Sequence, residues 1–169
     1  MTVVDEGLDE RCVRGALNIL HDLEGFDRIE ADLIEKGHVI LSFPASLGMS
    51  NLAGDLHGGF YMAVSDMAAC MAAYSCGCKP VTLQCNFNFC KGIHINGQRV
   101  KVDARVVHGG RTIQVVDVTF EDEQGNLCLS ASFTTFAKGR LADGDCFSDR
   151  EGALAIARAH FADAGREAF

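Results

Sequence analysis

The chain has 169 residues, 48% of them hydrophobic and 22% charged, with a net charge of −8. That length suits one domain with a core of its own, and the composition is that of an ordinary soluble globular protein. The acidic balance argues against a nucleic-acid partner. No apolar run reaches the roughly 20 residues that span a bilayer, and the start, Met1-Thr-Val-Val-Asp-Glu, lacks the basic-then-apolar order of a signal peptide. Eight cysteines with no export signal read as reduced thiols of a cytoplasmic protein.

Residues 8–23 place Leu8, Cys12, Ala16, Leu17, Leu20 and Leu23 at helical spacing, which predicts a short amphipathic helix ended by Gly25. Residues 27–35 and 38–43 read as two strands around the Lys36-Gly37 turn, the second stopped by Pro44. A loop rich in Ser, Gly and Asn follows over 45–56. Residues 58–76 are the best long helix in the chain. Ala63, Ala68, Ala69, Ala72 and Ala73 are strong helix formers, and Gly77 and Pro80 close the segment. Four strands come next, at 81–89, 99–107, 112–120 and 127–137, the middle pair joined across His108-Gly109-Gly110-Arg111. The predicted architecture is α+β, an antiparallel sheet curled against one central helix. Beyond residue 138, Ser148 and Glu151 form a capping-box signature for a peripheral helix over 150–167. The expected organisation is a helical segment over 1–24, a main domain over 25–137 and a tail over 138–169.

Charge is unevenly spread. Between Asp66 and Asp103 there is no Asp or Glu, while Lys79, Lys91, Arg99 and Lys101 fall in that window and Arg105 and Arg111 follow. Such a positive region could receive a small polyanion such as a nucleotide-bearing substrate, or it could be solvated strand-face charge. From Gly58 to Cys78 the single charged side chain is Asp66. An unpaired carboxylate costs several kcal/mol to desolvate, so within an apolar helix it must be paired, protonated or held at a water-accessible cleft. Gly58 and Gly59 occupy the first turn of that helix, where backbone N–H groups lack intrahelical partners and bare glycine lets a carbonyl approach. An N–H for a developing oxyanion and a carboxylate for a nucleophile are the minimum equipment for acyl transfer. Eight residues separate Gly58 from Asp66, about 12 Å along one helix. They reach one reacting carbon only if two copies of the helix pack antiparallel, so the site is expected to be shared between subunits.

The run Asn51-Leu-Ala-Gly-Asp-Leu-His57-Gly58-Gly59, then Asp66, then Val81-Thr82-Leu-Gln-Cys-Asn-Phe, resembles the hotdog-fold acyl-CoA thioesterases, in the phenylacetate-pathway branch. The resemblance covers about residues 25–137. It implies a hotdog fold, hydrolysis of an acyl-CoA to free acid and CoA, and a homodimer or dimer of dimers. It implies no cofactor beyond the substrate's own CoA, and no metal. For matching positions, it implies that the Gly58 N–H polarises the thioester carbonyl and that Asp66 is nucleophile or general base. His57 would shape the helix start, and Asn51 and Thr82 would position water or the carboxylate. Gly59 would contact substrate, and the turn Gly109-Gly110-Arg111, with Arg105 nearby, would border the CoA-binding groove. The tail after 138 lies outside the resemblance.

Two other functions stay open: a hotdog dehydratase, which would want a histidine on the long helix, and a non-catalytic acyl- or CoA-binding module. Cys76, Cys78, Cys85 and Cys90 are spaced unlike structural zinc ligands. Cys85 shares a face with Leu83 and Phe87 and reads as a small core hydrophobe, and His94 and His108 read as solvated loop residues.

Overall fold

The structure is a computed structural model that describes residues 2–21, 26 and 28–141. Its elements run β1 (Val3–Val4), α1 (Glu10–His21), β2 (Glu30–Glu35), β3 (His38–Pro44), a short 3₁₀ turn at Leu47–Met49, α2 (Gly58–Tyr74), β4 (Cys78–Phe89), β5 (Arg99–Gly109), β6 (Ile113–Glu121) and β7 (Leu127–Arg140). The strands form one sheet in the order β1-β2-β3-β5-β6-β7-β4. Every neighbouring pair is antiparallel except β1 with β2. This is the hotdog architecture, a sheet wrapped around α2.

Alternation explains why the sheet curls onto the helix. Val100, Val102 and Ala104 of β5, Val116, Val118 and Phe120 of β6, and Leu129, Ala131 and Phe133 of β7 are all buried. These are every-second residues, so one face of each strand is apolar. Opposite them α2 buries Val64, Met67, Ala68, Met71 and Ala72. Small alanines let the helix sit close to the concave sheet, and burial of such side chains from water supplies most of the stabilisation. On the other flank α1 packs against α2 at Gly15, where a Cβ would fall 1.9 Å from the Tyr74 ring. The missing side chain is the seat of that ring.

Several boundaries differ from those read in the sequence. Strand β1 has two residues, too few for any periodicity, and joins the sheet through its pairing with β2. The first helix begins at Glu10, not at residue 8, and is described as far as His21, while the predicted end at residue 23 and the stop at Gly25 lie outside the described residues. Pro80 does not delimit α2 but lies inside β4, where the register shifts between Cys78 and Pro80. A proline is tolerated there because β4 is an edge strand with an irregular ladder. His108 is not in a loop but near the end of β5, opposite Val115. The predicted tail helix, with Ser148 and Glu151, lies outside the described residues. No helix among the described residues is long and apolar enough to cross a membrane.

Candidate active site

The loop ahead of α2 is pinned before the helix begins. Asn51 Oδ1 accepts the N–H groups of Ala53 and Asp55, at 2.8 and 3.1 Å. The Leu56 N–H bonds the Ile93 carbonyl and the His57 N–H bonds the Met49 carbonyl, each at 2.8 Å. Asp55 Oδ1 lies 2.8 Å from His94 Nδ1, so His94, exposed as expected, also ties two loops together. His57 is then the N-cap of α2. Its backbone is extended (φ −65°, ψ 134°) and its Nδ1 accepts the Gly59 N–H at 2.9 Å. An acceptor at this position satisfies one of the orphan donors of the first turn. The Gly58 N–H has no acceptor among the described residues, and the Phe89 ring stands 3.8 Å from where a Gly58 Cβ would be.

Asp66 lies two turns further along. It is exposed in the single chain, not enclosed by apolar neighbours as its sequence context suggests. The sheet covers only one side of α2, and Gly59, Met62 and Asp66 form the uncovered stripe. Thr82 of β4 reaches across and its Oγ1 donates to Asp66 Oδ1 at 2.5 Å. Among the described residues no cation pairs with Asp66. A fixed, unneutralised carboxylate facing an open surface can take a proton or attack an electrophile. Asn51, His57, Gly58 and Gly59 are thus gathered at one end of α2, while Asp66 and Thr82 are about 12 Å away within the same chain.

The positive window is largely neutralised. Lys91 pairs with Asp122 at 2.6 Å, Arg99 with Glu30 at 2.7 Å, Lys101 with Glu121 at 3.2 Å and Arg105 with Asp103 at 3.0 Å. Arg105 is therefore engaged along its own strand and is not among the residues that line the cavity beyond α2. Arg111 has no ion pair among the described residues, and with Gly109 and Gly110 it lines a cavity of about 640 Å³. Lys36 and Arg140 line the same cavity, from the β2–β3 turn and the end of β7. Sequence reading missed both, because two turns and a strand end remote in the chain meet here and no local pattern announces it. The cavity lies beyond the C-terminal end of α2, with Cys76 and Cys78 in its wall.

No disulfide joins any two of the seven described cysteines. Burial pushes the Cys78 thiol up to about 11 and raises Cys76 and Cys128, so all three stay protonated at neutral pH. Cys85 is not a core residue but exposed, on β4 at the edge of the sheet.

The thioesterase superfamily model matches residues 53–129, which hold α2 and Asp66. A Streptococcus mutans protein solved bound to acetyl-CoA is 33% identical and matches over 73% of this chain and 98% of its own, with a TM-score of 0.68. A Streptococcus pneumoniae protein described as a hypothetical thioesterase, solved with coenzyme A, is 26% identical over 76% of this chain and 100% of its own, with a TM-score of 0.72. A variant of the phenylacetic acid degradation protein PaaI from Thermus thermophilus is 25% identical over 64% of this chain and 92% of its own, with a TM-score of 0.61. The chain belongs to the thioesterase superfamily and, within it, to the hotdog-fold acyl-CoA thioesterase family of the phenylacetate-degradation branch.

Proposed function

We propose that the protein hydrolyses acyl-CoA thioesters to the free acid and CoA, at a site that two copies of the chain build together. One observation carries this reading: among the described residues Thr82 holds the Asp66 carboxylate, un-neutralised, on the uncovered stripe of α2, and the Gly58 N–H at the start of the same helix is unclaimed. A purely structural acid would have a cation or a ring of N–H donors. The relatives solved with acetyl-CoA and coenzyme A support the ligand class.

Two features favour a shared site. Among the described residues β4 pairs only with β7, and its other edge and the neighbouring stripe of α2 expose Leu83 (59%), Phe89 (51%) and Met62 (44%) in the single chain. An apolar edge strand of this kind is a template for pairing with another chain. A twofold contact along it sets the Gly58 N–H of one copy opposite Asp66 of the other.

In this arrangement the Gly58 N–H donates to the thioester oxygen and stabilises the negative charge that develops there. Asp66 of the other copy takes a proton from water as the water oxygen bonds to the carbonyl carbon. The tetrahedral intermediate collapses, the C–S bond breaks, and CoA leaves as thiolate and gains the proton. Attack by Asp66 itself would instead give an acyl-aspartyl anhydride that water cleaves, with the same products. From Asp66 to the end of α2 at Tyr74 is eight residues, about 12 Å, and the cavity lies beyond that end, a span the pantetheine arm of CoA bridges. Lys36, Arg111 and Arg140 around the cavity would then meet the nucleotide phosphates.

Thiol release from a panel of acyl-CoA thioesters tests the reading. Turnover by the wild type, and its loss in Asp66→Asn, is expected. Tight binding of acyl-CoA with no thiol released would make the protein a binding module.

A further inference from the structure

Cys70 lies one turn beyond Asp66 on the same face of α2, partly buried, with its Sγ 3.7 Å from Thr82 Oγ1. Thr82 Oγ1 is in turn 2.5 Å from Asp66 Oδ1. A threonine hydroxyl carries one proton and two lone pairs, and an ionised carboxylate only accepts. The single Thr82 proton must therefore point at Asp66, which leaves the thiol as donor in its contact with Thr82.

We infer that Cys70 is a positioning residue for Asp66, acting through Thr82 in a directed chain from Cys70 S–H to Thr82 O–H to the Asp66 carboxylate. The inference rests on the acyl-CoA hydrolase reading. Without a donor behind it, the hydroxyl is free to rotate toward another acceptor, and the carboxylate loses its fixed orientation. Thiols are weak donors, so the contribution is modest and belongs to turnover, not to substrate affinity.

The test combines three variants and two readouts. Cys70→Val is expected to lower kcat about two- to tenfold with KM unchanged, and Cys70→Ser, which keeps a donor, to restore it. Cys70→Val added to Thr82→Val should change kcat no further, since a residue that acts only through Thr82 has nothing left to act on. Multiplicative effects of the two substitutions would overturn the inference, and so would failure of the serine to rescue. The second readout needs no activity. The S–H infrared band assigned to Cys70, by difference against Cys70→Val, should shift to higher frequency in Thr82→Val. An unmoved band would overturn the chain even in an active enzyme. Absence of acyl-CoA turnover in the wild type would sink the hydrolase reading instead, and the band would still decide whether the thiol donates to Thr82.

Discussion

Asp66→Asn keeps an oxygen for the Thr82 hydroxyl to donate to, but removes the negative charge and the basicity. Loss of a general base typically costs about 10²–10⁴-fold in rate, and loss of a nucleophile at least as much. Steady-state kinetics should therefore show kcat down by at least about a hundredfold, with acyl-CoA binding kept. The melting temperature should hold or rise, because Asp66 has no cation among the described residues and its charge gains little from the fold. Near-wild-type turnover would remove Asp66 from the chemistry. At this scale much was legible. A lone acid in an apolar helix and two glycines at its start are local patterns, visible in one stretch of chain. The Thr82 hydroxyl is sixteen residues away on another element, and only the resemblance pointed to it. Cys70 drew no reading from the sequence, because its link to Asp66 passes through that same distant hydroxyl.

Elements follow from periodicity where they are long enough to have one. α2 and the strands of the sheet fall close to their predicted spans because alternation or helical spacing recurs over several residues in each. Register irregularities at Thr82/Gln84 and Val106/His108 were not foreseen, since a bulge depends on which strand lies alongside. The same holds for ion pairs across the sheet, which emptied the positive window of most of its free cations. Of these, Lys91 and Asp122 carry a prediction. Lys91 and, next, Asn126 hold the Asp122 carboxyl well below the usual carboxylate range, and Asp122 also accepts the N–H groups of Gln124 and Asn126 in the β6–β7 turn. A carboxyl whose folded value is depressed contributes stability above its unfolded value, about pH 4, and loses it as pH falls toward the folded value. Asp122→Asn should thus melt below the wild type at pH 7, and the gap should narrow only below about pH 4. A gap that is constant down to the lowest accessible pH would show that the charge is irrelevant and only turn geometry matters. The β5–β6 turn carries another. Arg111→Ala should raise KM for acyl-CoA more than for the matching acyl-pantetheine, which lacks the nucleotide phosphates. Equal effects on both substrates would leave Arg111 as surface solvation.

For the whole molecule, the Gly58–Asp66 spacing allows a sharper test than sedimentation alone. Gly58→Pro deletes the unclaimed N–H and should leave the fold intact. Proline is well accepted at the first helical position, and His57 before it already has the extended backbone that a following proline requires. Gly58→Pro and Asp66→Asn homodimers should each be nearly inactive. In a mixed dimer the Asp66→Asn subunit supplies an intact Gly58 N–H and the Gly58→Pro subunit an intact carboxylate, so one of the two sites is whole. Random exchange makes half of the dimers mixed, each with one working site of two, which restores about a quarter of wild-type activity. A dimer of dimers gives the same fraction if subunits exchange within each pair. Native mass spectrometry can verify that mixed dimers have formed. Mixed dimers with no activity beyond that of the parents would mean that each chain builds its site alone. The 12 Å between the two groups along α2 would then have to be bridged by some other donor near Asp66, and the exposed edge of β4 would need a different partner.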